Sequence, residues 1–153
     1  MKTKIIIMVM AASVLLVGCG KKAASSTVVT TTADSVAVTK FLETDWSARP
    51  IFPPGSVLNW SEDQFNALSD AENNVKSTEL ISQLASLKEV ARAVAQAGED
   101  AAAKGDTAQA RKCFTALEQC GAAMNTTNSG HLVQLVGQAF QKRAMSELAK
   151  IGQ

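Results

Sequence analysis

Between residues 80 and 94 the apolar positions Leu80, Leu84, Leu87, Ala91 and Val94 follow one another in alternating steps of four and three. That period gathers them on one stripe of an α-helix facing a core, and Ile81, Val90 and Ala95 widen the stripe. Phe65, Leu68 and Val75 carry an apolar face back towards Ser61. There Ser61-Glu62-Asp63-Gln64 has the form of a capping box, with Trp60 and Phe65 placed to staple the helix start. Glu62 and Asp63 also put negative charge at the positive end of the helix. The pattern runs on through Gly98 and Ala102 to Lys104, which predicts a helix over about 62–104, either continuous or broken at Asn73-Asn74. Gly105 suits a C-terminal cap of positive φ, and Asp106 an N-cap for the next helix, with Gln109 three residues on. Ala110, Cys113, Phe114, Leu117, Cys120 and Met124 share one side of that helix, about 107–124. A polar turn over 125–130 precedes a last helix, about 130–151. It carries Leu132, Val133, Val136, Ala139, Phe140, Leu148 and Ile151, with Lys142 and Arg143 towards its polar side. The predicted fold is all-α, a small antiparallel helical bundle over 61–153.

Ahead of the bundle the pattern changes. Val38, Leu42 and Trp46 are spaced by four and predict a short helix with one apolar face. Pro50, Pro53, Pro54 and Gly55 then exclude regular helix. Ile51, Phe52, Val57, Leu58 and Trp60 are too apolar to stand in water. The segment 36–60 is therefore expected to pack on the bundle, its proline-rich part lying extended across the helices and burying its aromatics; a docking peptide is the other reading. Residues 19–35 are small and polar and read as a flexible tether.

The chain begins with Lys2 and Lys4, an apolar run from Ile5 to Val17 too short to span a bilayer comfortably, and Leu16-Val17-Gly18-Cys19. Leu-Val-Gly-Cys at this distance from the start resembles the lipobox of bacterial lipoproteins. The resemblance covers residues 1–20. It implies that residues 1–18 are a signal peptide and that Cys19 is the first mature residue and the site of lipidation, with several acyl chains giving stable membrane anchoring. Gly20, where that family places Asp for inner-membrane retention in enteric-type bacteria, points to an outer membrane facing the periplasm if the cell has two membranes. An ordinary secretory signal is the alternative. A second, partial likeness lies at 94–117, which is similar to one tetratricopeptide repeat through Gly98, Gly105, Ala110 and Phe114. Val94, Ala97, Ala101 and Leu117 depart from that pattern and no second copy follows, so the stretch reads as a repeat-like hairpin within the bundle. What the repeat family implies is protein or peptide binding on a helical face.

Composition narrows the function. The formal net charge is +1, and loss of Lys2 and Lys4 with a signal peptide takes it to −1. Such a balance leaves no basic footprint for nucleic acid. Tyrosine is absent and aromatics make up 5% of residues, which favours helices packed through small side chains. Cys113 and Cys120, two turns apart on one helix face, would sit roughly 10 Å apart, beyond disulfide reach; they read as buried small hydrophobes. His131, the only histidine, and Ser129 beside it have nothing to arrange them as a triad. The acidic pairs Glu62-Asp63 and Glu99-Asp100 read as helix-end and solvated charges. No phosphate loop, paired CxxC or HExxH occurs. No catalytic residue, cofactor or metal ligand is assigned. The expected function is a non-enzymatic, membrane-anchored protein- or peptide-interaction module of the cell envelope. A lipid or small-ligand carrier with a cavity lined by Leu84, Leu87, Phe114, Val136 and Phe140 is the alternative, and an oligomerising structural lipoprotein a third reading.

Overall fold

The computed structural model describes residues 32–152, with side chains from 35 onward. The expected signal peptide, Cys19 and most of the expected tether lie outside the described residues. Among the described residues five α-helices follow one another: α1 Thr32–Glu43, α2 Glu62–Asn66, α3 Asp70–Ala103, α4 Thr107–Met124 and α5 His131–Ile151, with a 3₁₀ turn at Val57–Asn59. No strand occurs among the described residues. The all-α bundle stands as expected.

Its helix starts are built as their side chains suggest. The Ser61 N–H donates to Gln64 Oε1 at 2.9 Å, and the Gln64 N–H to Ser61 Oγ at 3.3 Å. The Trp60 and Phe65 rings meet at 5.3 Å between centroids. Asp106 Oδ1 accepts the Gln109 N–H at 3.0 Å, and Gly105 has φ +79°. The break is not at Asn73-Asn74, which lie inside α3. It falls at Ala67–Ser69, where a second box opens: Glu72 Oε2 accepts from the Ser69 N–H at 3.1 Å and from its hydroxyl. Asn73 belongs to this junction, donating from Nδ2 to the Phe65 carbonyl at 3.1 Å and accepting from the Ser77 hydroxyl. A residue able to disrupt a helix here ties its first turn to the helix before it.

α3, α4 and α5 pack as successive antiparallel neighbours. Gly98 of α3 lies against Phe114 of α4, and Gly121 of α4 against Gly137 and Gln141 of α5, so paired positions advance in opposite directions from each turn. The α4–α5 crossing is the closest. A β-carbon on Gly121 would stand 2.5 Å from the Gly137 carbonyl oxygen, and one on Gly137 2.7 Å from the Gly121 carbonyl oxygen. At 34 residues α3 far outruns its 18-residue partner α4. Set by the Gly98–Phe114 pairing, α4 ends roughly level with Lys88. α3 also contacts α1, α2 and the 3₁₀ turn.

Two local expectations change. α1 begins at Thr32, inside the stretch read as tether, and ends at Glu43, so Trp46 is not on its face. Trp46 sits on the following turn and folds back onto Phe41, ring centroids 4.7 Å apart; Phe41 is buried while Val38 and Leu42 are partly so. The proline-rich segment does bury Phe52, Val57 and Leu58, but through turns rather than an extended run. The start of α5 is closed from afar. Its N-cap, Gly130, has no side chain to offer, and Glu62 Oε2 accepts the His131 N–H at 3.1 Å while the Gly130 N–H donates to the Trp60 carbonyl at 3.0 Å. A carboxylate at that helix end is favoured by the dipole as well as by the hydrogen bond.

Candidate functional site

The proline-rich segment makes one wall of an open groove, and its shape follows from three local devices. Pro53-Pro54-Gly55-Ser56 is a turn in which the Ser56 N–H donates to the Pro53 carbonyl at 3.0 Å. Proline at its second position and a glycine of φ +85° at its third suit a type II turn. Asn59 closes the loop from within: its Oδ1 accepts the Phe52 N–H at 3.2 Å, and its Nδ2 donates to the carbonyls of Phe52 and Pro53. Ser56 then fastens the loop to α3, donating from its hydroxyl to Gln83 Oε1 at 2.7 Å and accepting the Leu58 N–H. Val57, wholly buried, is the plug beneath.

The groove between this loop and α3 holds about 610 Å³. Phe52, Pro53 and Leu58 form one side; Leu87 and Val90 form the other, with Ser82, Gln83 and Ser86 beside them. No charged side chain lines it. The α3 positions step by three and four, so the same period that builds a core stripe also lays out this floor, one face round from Leu84 and Ala91. Ile81, 60% exposed, stands on the same helix outside the groove.

The residues singled out from the sequence are not brought together. Cys113 and Cys120 are buried, free thiols. Cys113 Sγ accepts from Gln109 Nε2 at 3.7 Å, and Cys120 Sγ lies 3.9 Å from Met124 Sδ. Burial raises the Cys113 thiol pKa and pushes that of Cys120 up to about 12. His131 is exposed, and the Ser129 hydroxyl is paired with that of Thr126 at 2.9 Å. Glu99 meets Arg143 of α5 at 2.9 Å across the bundle. Among the described residues no three His, Cys, Asp or Glu side chains gather to hold a metal ion, and no helix is long and apolar enough to cross a membrane.

Nor do the five residues expected to line a carrier cavity share one. Leu84 and Phe114 are core, Leu87 lines the groove, and Phe140 borders a separate cleft of about 210 Å³ beside Lys88, Arg92 and Arg143. Val136 is partly buried against the core. The groove itself was missed as a place, though Pro53, Gly55 and the apolar residues around them marked the segment that builds it.

Comparison with protein-family models, curated proteins and solved structures finds no match to this chain.

The thiols give a direct check on the core. In a Cys19→Ser chain at pH 8, neither Cys113 nor Cys120 should react with Ellman's reagent under native conditions, and both should react once guanidinium unfolds the chain. Prompt native labelling of Cys120 would contradict its burial. The same burial sets a sign for alkaline pH. An unfolded thiol releases its proton near the ordinary value of 9.0, whereas folded Cys120 holds it to about 12. The unfolded state thus binds fewer protons in that window, and stability falls as pH rises from about 9 towards 12.

Proposed function

We propose that this chain is a lipid-anchored, non-enzymatic interaction module of the cell envelope, held at the membrane through Cys19 and binding a protein or peptide partner in the groove between residues 52–58 and α3. The observation that carries the binding half is the groove: open, about 610 Å³, uncharged and floored by Leu58, Leu87 and Val90. Apolar surface held open by a clamped loop suits insertion of apolar side chains from a partner. The anchoring half rests on the likeness of Leu16-Val17-Gly18-Cys19 to a lipobox. A tether to the membrane raises the local concentration of the module near partners held there. An outer membrane facing the periplasm fits Gly20 where the cell has two membranes.

Each half has its own test. Cys19→Ala should move the protein from the membrane pellet to the soluble fraction and abolish incorporation of labelled fatty acid; a variant that still sediments with membranes overturns the anchor. A photo-crosslinking amino acid at exposed Ser82, beside the groove, should give a discrete adduct in cells that the same group at exposed Arg111 on α4 does not. Equal labelling from both positions removes the groove as the docking site.

A further inference from the structure

We propose that Lys76, Glu79 and Gln83 of α3 form a brace that fixes the width of the groove, with Gln83 as its positioning residue. The weight of the brace for binding rests on the groove reading above. Its existence does not, because every group in it belongs to this chain.

The loop wall is held by little else that is directional. Phe52, Val57 and Leu58 are buried, but apolar burial is non-directional and does not fix where the rim of the loop stands. Among the described residues one hydrogen bond joins residues 44–60 to α3: the Ser56 hydroxyl donates to Gln83 Oε1 at 2.7 Å. Ser86 offers no second tie, since its hydroxyl donates within α3 to the Ser82 carbonyl at 3.1 Å. The Gln83 amide is itself held in place. Its Nε2 donates to Glu79 Oε1 at 3.0 Å. An ionised carboxylate only accepts, so Nε2 must face Glu79 and Oε1 is left facing Ser56.

The chain of side chains then returns to the segment it left. Glu79 Oε2 accepts from Lys76 Nζ at 2.8 Å, and the same ammonium stands 5.5 Å from the centroid of the Trp60 ring, within cation–π range. Ser56 and Trp60 bracket the 3₁₀ turn Val57–Asn59, which carries the buried Val57 and the groove residue Leu58. Both ends of that turn are thus tied to one side of α3, by residues spaced three and four apart. The Lys76 and Glu79 side chains are each 36% exposed, so their attraction is less screened than that of a fully exposed pair. Release of Gln83 frees the Pro53–Ser56 turn to move off α3 while Val57 stays in the core, which widens the groove over Leu87 and Val90.

The test is amide hydrogen exchange of the full chain, read residue by residue by NMR. The reporter is the Leu58 N–H, which donates to Ser56 Oγ at 3.2 Å. The control is the Phe52 N–H, closed within the loop on Asn59 Oδ1 at 3.2 Å. Gln83→Ala should speed exchange at Leu58 about tenfold and change Phe52 by less than about twofold. Gln83→Glu keeps the volume and an acceptor for Ser56 but sets a carboxylate against Glu79, and it should speed Leu58 by a smaller factor. Lys76→Met removes a charge with no hydrogen bond to Ser56 or Leu58. It should still speed Leu58 about threefold, and that effect should vanish in the Gln83→Ala background. Unchanged exchange at Leu58 in Gln83→Ala overturns the brace. So does equal acceleration of Leu58, Phe52 and the α4 amides, which marks a general loss of stability, or a Lys76→Met effect that persists without Gln83. No partner takes part in these measurements, so their outcome is independent of whether the groove docks one.

Discussion

Gly121→Ala should cost about 2 kcal/mol of stability, a fall of about 8 °C in Tm for a domain of this size. Alanine is the better helix former by about 1 kcal/mol, so on propensity alone this change would stabilise α4. The crossing reverses the sign. The new methyl would meet the Gly137 carbonyl oxygen at 2.5 Å and the Gln141 N and Cγ at 2.8 Å. Two of those three atoms are backbone, so a rotamer change cannot make room; α5 itself must move away. Overpacking of this kind costs about 1–3 kcal/mol, at times more, and here it outweighs the propensity gain. Thermal melting by circular dichroism reads the result. A Tm equal to or above that of the wild type would mean that α4 and α5 do not cross at these glycines.

Phe114→Ala should be more damaging, by about 3–5 kcal/mol, a large share of the 5–15 kcal/mol typical of a whole domain. Phe114 is 1% exposed and fills the interface between α3 and α4. Its ring tip occupies the space a side chain at residue 98 would need: a β-carbon there would lie 2.8 Å from Phe114 Cζ. This makes the two positions non-additive in a way that can be measured. Gly98→Ala should destabilise the wild-type chain, yet cost less or even stabilise once Phe114 is Leu and the ring tip is gone. A double-mutant cycle in urea gives the coupling. Additive costs would show that the ring and Gly98 do not share that space.

These two sites also mark what could be read in advance. The α3 stripe from Leu80 to Val94, the Ser61 box and the Gly105-Asp106 junction depend on neighbours within a few residues, and each formed as its pattern required. Phe114 is legible as a core residue from its place on the apolar face of α4. The Gly121–Gly137 crossing was not legible, since either glycine alone is an ordinary weak point in a helix until another helix is laid against it. Asn73-Asn74, of low helix propensity, leave the long helix readable from the sequence as either continuous or broken there, and they lie inside α3. The Ser69-Asp70-Ala71-Glu72 box just upstream carried the real start signal, and Asn73 serves it. Its spacing from Leu42 predicts Trp46 on a helix face, whereas its ring is drawn back onto Phe41 after the helix has ended. The groove depends on Asn59 holding Phe52 and on Ser56 reaching Gln83, 27 residues away, and no local pattern records such a reach.

The closure of α5 by Glu62 spans 69 residues of chain, and it bears on the order in which the protein assembles. The α3–α4 and α4–α5 hairpins join segments that are neighbours in the chain, so they can zip at small cost in loop entropy. Phe41, Val57 and the Trp60–Glu62 corner precede all of these in the chain, yet α5 must be in place before the corner can be completed. The earliest described segment is thus the last to be completed. Until α5 has docked, the apolar side chains of that corner lack their partners, and that interval is when the chain most needs shielding from its own kind.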